Sequence, residues 1–162
     1  MAAEARVVAN QFIGLARKEG KTLTPLQLMK LVYIAHGWML GLRQRPLIIE
    51  PVEAWRYGPV IPELYRETKK YGSGAVTDEI STSAWKRWGA TDELDASEAD
   101  IVEQVYRIYG GQTGIQLSSL THQPRTPWDI TWESGKQMNA TIPSDLIAEH
   151  YRKLALERTS AR

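Results

Sequence analysis

From Leu26 to Leu42 apolar side chains fill almost every position: Leu28, Met29, Leu31, Val32, Tyr33, Ile34, Ala35, Trp38, Met39 and Leu40. A helix that is apolar all round leaves no face for water, so this pattern predicts a buried central helix. Its start is written in Leu23-Thr24-Pro25-Leu26-Gln27-Leu28, with Thr24 as N-cap, Pro25 at the first helical position, Gln27 closing a capping box and Leu23 stapled to Leu28. The non-apolar line along it is Lys30, Gly37 and Gly41, and two glycines four apart predict another backbone passing close by.

Amphipathic helices surround this segment in the sequence. From about Ala3 to Glu19, Val8, Phe12 and Leu15 recur at helical spacing, and Gly20 closes the run. Asp95 to Glu98 form a second capping box, opening a helix with a stripe of Ile101, Val105, Ile108 and Tyr109 that ends at Gly110 and Gly111. Ile115, Leu117 and Leu120 predict a short helix. Pro143 to Leu156 carries Leu146, Ile147, Tyr151 and Leu154 on one face and Glu149, Arg152 and Lys153 on the other, and residues 157–162 read as a frayed tail.

Extended structure is expected only near the middle. Leu47-Ile48-Ile49, β-rich and bounded by prolines, reads as a strand that pairs with Glu53 to Arg56 in a small hairpin around residues 47–57. Pro59 and Pro62 push Gly58 and Ile61 toward extended backbone, so Trp55 to Ile61 should be a stiff arm, and a short helix begins at Pro62 and ends before Gly72. Trp55, Tyr57, Val60, Leu64 and Tyr65 crowd this corner, as either the keystone of a core or a docking face. Ala75 to Ala84 reads as loop, and Trp85-Lys86-Arg87-Trp88 as a surface turn or a binding patch. Gln123 to Pro127 must be loop, with Trp128 directly after it. The sum is a mainly α chain: a single compact helical domain over residues 1–162, with about six helices and one small β-hairpin.

Composition narrows the function. The 162 residues carry a net charge of +1, without the concentrated positive field that nucleic acid or an anionic membrane attracts. Cysteine is absent, which removes disulfides and thiolate chemistry and fits a cytoplasmic protein. No run is apolar enough for a signal peptide or a membrane span.

Reaction chemistry finds little support. Gly14 to Thr22 imitates a phosphate-binding loop, but five residues separate its glycines where four are needed, and no strand precedes it. His36 and His150 lie on apolar helical surface, as core histidines do, while His122 opens a proline loop; none has metal-ligand spacing. Ser118-Ser119 lacks the nucleophile elbow. No cofactor is expected, and rigid aromatic corners without reaction machinery suit a protein-binding module.

Three blocks together carry a resemblance: Leu26 to Gly37, then Ala54-Trp55-Arg56-Tyr57-Gly58-Pro59-Val60-Ile61-Pro62-Glu63-Leu64-Tyr65, then Leu120-Thr121-His122 with Pro127-Trp128. Their order and content resemble the Panacea domain, or SocA-like antitoxin family, formerly described as phage-associated GepA-like proteins. The resemblance implies a mainly helical antitoxin without enzymatic activity, encoded beside a protein toxin in bacterial, prophage or phage genomes and neutralising it by direct contact. Some SocA-like members instead deliver the toxin to the ClpXP protease. On this basis Trp55, Tyr57 and Val60, with His122 and Trp128 if the blocks converge, are candidate protein-binding residues; the competing reading makes them a structural signature. A homo-oligomer, a small cytoplasmic enzyme built around His122, and a DNA-binding regulator using the first two helices stay as alternatives, although the second helix is too apolar to read bases.

Overall fold

The structure, a computed structural model, describes residues 2–81 and 91–160. Its centre is the helix that the apolar run predicts. Helix α2 (Pro25–Arg43) is buried continuously from Leu28 to Leu40. Thr24 Oγ1 accepts from Gln27 N at 3.2 Å and Gln27 Oε1 accepts from Thr24 N at 2.9 Å, completing the capping box. Around α2 pack α1 (Ala5–Lys18), α4 (Ala96–Tyr109), α5 (Gly114–Thr121) and α7 (Ser144–Ser160). The remaining elements are α3 (Pro62–Thr68), α6 (Pro127–Trp132), strands β1 (Glu53–Trp55), β2 (Gly58–Val60) and β3 (Ala140–Thr141), and two short 3-10 turns, Lys69–Tyr71 and Glu133–Gly135. The chain is mainly α, with seven helices among the described residues where about six are expected.

The glycine line does what its spacing predicts. A Cβ on Gly41 would stand 2.9 Å from the Arg152 backbone nitrogen, and one on Gly37 would overlap the Tyr151 ring. These two positions let α7 lie against α2, with Tyr151 wedged edge-on to Trp38 at 5.1 Å and to Tyr33 at 6.3 Å. Helix α7 continues to Ser160, beyond the Leu156 end of the apolar pattern. Trp85 to Trp88 lie outside the described residues.

The hairpin differs in one partner. β1 forms as expected, but it pairs antiparallel with β2, Glu53 opposite Val60 and Trp55 opposite Gly58, and on its other edge with β3. Leu47-Ile48-Ile49 does not join this sheet. Its backbone groups are taken elsewhere: His36 Nδ1 accepts from Leu47 N at 3.2 Å and Ile48 N at 3.4 Å, while Ala3 bonds to Leu47 O and Ile49 N. Pro59 is tolerated inside β2 because this is an edge strand and the carbonyl of the same residue is turned away to a side chain.

His36 thereby becomes an acceptor that must stay neutral. Burial lowers its pKa from 6.5 to about 4, and a proton on Nδ1 would break both bonds. The unfolded chain takes up this proton between pH 6.5 and 4 and the folded chain does not, so the stability contribution is complete above pH 6.5 and is lost as pH falls toward 4. Urea melts across that window should lose about 3 kcal/mol from this group. In His36→Asn, which keeps an acceptor but not the titration, the acid slope should flatten; an unchanged slope would assign it to other groups.

Candidate protein-binding site

The corner that the prolines predict is the tip of the β1–β2 hairpin, with Arg56 and Tyr57 as its two-residue turn. Gly58 follows at φ +121°, a conformation that side-chain-bearing residues rarely adopt, and a Cβ there would lie 2.9 Å from Lys30 Nζ. Three side chains from three different helices hold alternate carbonyls of this tip. Trp128 Nε1 donates to Trp55 O at 2.5 Å, Ser118 Oγ to Tyr57 O at 2.9 Å, and Lys30 Nζ to Pro59 O at 2.7 Å. The hairpin is therefore pinned along its length to α6, α5 and α2. Ile61 N, just beyond it, donates to Met29 Sδ at 3.3 Å.

All five sequence candidates meet here, in different roles. Trp128 is 7% exposed, stacked on Trp132 with ring centroids 5.5 Å apart and met edge-on by His122 at 5.5 Å. Its surface is spent on packing, so it supports the tip. His122, at the C-terminus of α5, is half-buried, with Nδ1 3.4 Å from Ser118 Oγ. Trp55 and Val60 are half-buried, and Trp55 meets Tyr65 edge-on at 5.2 Å. Tyr57 alone of the five projects, 69% exposed, with the Arg56 guanidinium 5.4 Å from its ring centroid.

Beside the tip runs an open groove of about 380 Å³, with Leu26 and Met29 of α2 on one side and Trp55, Tyr57, Val60 and Tyr65 on the other. Lys30 belongs to its lining and is 1% exposed. Burial lowers the Lys30 pKa from 10.5 to about 7, since no carboxylate among the described residues pairs with the ammonium. Sequence reasoning places Lys30 on the glycine line without seeing this role. A single cation within an apolar helix is the signal that points to it.

The polar groups here are committed to structure. The Ser118 hydroxyl proton is donated to Tyr57 O, which leaves the contact with His122 unlike that between a nucleophile and its base. Among the described residues no three metal-ligating side chains cluster, and no helix is long and apolar enough to cross a membrane.

Comparison with known proteins adds two findings. Residues 28–129 match the family described as antitoxin SocA-like, Panacea domain, a span that contains all five candidates. Antitoxin SocA of Caulobacter vibrioides (strain NA1000 / CB15N) is 31% identical over 132 residues, covering 78% of this chain and 69% of that protein. No solved structure matches the chain significantly.

Proposed function

The chain belongs to the SocA-like Panacea antitoxin family, and from that premise we propose that it neutralises a co-encoded protein toxin by direct contact, using the hairpin tip and the groove beside it. The observation that carries this reading is Tyr57, an aromatic ring 69% exposed on a backbone pinned by three buried or half-buried side chains. Interfaces draw most of their energy from a few aromatic and arginine anchors, and a rigid anchor loses little entropy on binding. Tyr57 with Arg56 stacked on it supplies both residue types at one point. The protein works in the cytoplasm without a cofactor or a reaction of its own, as a surface fitted to another polypeptide.

Co-expression with the adjacent reading frame tests this. The neighbour alone should arrest growth, the pair should restore it, and the two proteins should purify as a complex. Restored growth without a complex would contradict direct contact. If the toxin disappears only in cells that contain ClpXP, the contact serves delivery to the protease and not occlusion.

A further inference from the structure

Among the described residues, the basic side chains around the groove lack acidic partners. Lys30, Arg56 and Lys69 all line it, no aspartate or glutamate does, and none of the three forms an ion pair with another described residue. In a chain with a net charge of only +1 this is a local excess. The walls between these cations are apolar: Leu26, Met29, Trp55 and Val60. We propose that the groove receives a partner segment in which a carboxylate neighbours an aromatic or large aliphatic side chain, the apolar group lodging between Met29 and Trp55 and the carboxylate meeting the Lys30, Arg56 and Lys69 cluster.

This inference deepens the reading of the hairpin face as the partner-binding face and rests on it. Lys30 is its main support. Its Nζ donates to Pro59 O, and burial withholds bulk water from the amine, which therefore sheds its proton readily; an arriving carboxylate would hold it in the ammonium form. The pKa lowered to about 7 is the mark of that unpaired burial. A volume of about 380 Å³ suits one or two side chains and not a tracked polynucleotide backbone, which also needs a longer basic stripe.

Two capped dipeptides that differ in one group provide the probe: acetyl-Asp-Phe-amide and acetyl-Asn-Phe-amide, titrated into the full chain labelled with 15N. Backbone amides of Met29, Lys30, Trp55 and Tyr57 should shift, with the aspartyl peptide binding at least tenfold more tightly. In Lys30→Met that preference should shrink to less than threefold. If this variant does not fold, the surface variant Arg56→Gln/Lys69→Gln should reduce the preference at least threefold. Equal affinities, the absence of shifts at the groove, or shifts there produced by a dT8 oligonucleotide and by neither peptide would overturn the inference. Because the titration contains no toxin, its failure leaves complex formation with the neighbour as a separate result, and failure of that complex leaves a carboxylate preference measured here intact.

Discussion

Replacing Gly37 by alanine should destabilise the fold by about 3 kcal/mol, although alanine is the better helix former by about 1 kcal/mol. The added methyl would fall 2.5 Å from Tyr151 Cδ2 and 2.7 Å from its Cζ, and nearer still to Cε2. The ring is held closely on two sides, although a cavity of about 340 Å³ borders it on another. It is 5% exposed, with Tyr33 and Trp38 edge-on to it, and Arg158 lies over Trp38 at 4.9 Å while donating to Tyr109 OH at 2.9 Å. Either the ring must leave its edge-on contacts with Tyr33 and Trp38, or helix α7 must move off α2, and both give up packing. Chemical denaturation should show the loss, and the midpoint of thermal unfolding should fall by about 10 °C. Gly37→Ala combined with Tyr151→Ala should cost less than the sum of the two single changes, since the second removes the atoms that the first collides with. Stabilisation by alanine would mean that the two helices are not in this contact.

This contact was legible because it is written locally. An all-apolar run must be surrounded by other elements, two glycines four apart mark the side where one of them comes closest, and the capping boxes at Thr24 and Asp95 state where two helices begin. What depends on residues far apart was less legible. Leu47 to Ile49 has the composition of a strand, but the donors of Leu47 and Ile48 are claimed by His36 and the edge of the segment by Ala3, and neither spacing announces this. Likewise the start of α1 carries no capping side chain of its own; the Glu50 carboxylate accepts from Ala5 N at 2.8 Å from 45 positions away.

The candidate site divides in the same way. Its aromatic residues stand out in the sequence and the structure brings them together, yet their roles follow from burial that no local pattern encodes. Trp128 and Tyr57 are both large aromatics beside prolines or glycines, and one has become a buttress while the other faces solvent. Lys30 and Ser118 were hidden because each serves a carbonyl of the hairpin, and which carbonyls need a donor is known only after the strands have paired.

The second large effect concerns binding. On the proposed reading Tyr57 is the anchor, and truncating a central interface tyrosine typically costs about 2 kcal/mol or more, which is roughly thirtyfold in affinity. Because most of the ring is exposed in the free protein, its removal should leave stability within about 0.5 kcal/mol of the parent. Trp128→Ala supplies the contrast. That indole is buried and hydrogen-bonded, so its loss should cost about 3–5 kcal/mol of folding energy before any partner is present.

The decisive measurement is the dissociation constant of Tyr57→Ala for the proposed toxin, the product of the adjacent reading frame, taken with the unfolding free energy of the same sample. An affinity at least thirtyfold weaker with an unchanged melt is the expected result. A toxin bound as tightly as by the parent chain would place the interface elsewhere and leave the hairpin tip a matter of architecture alone.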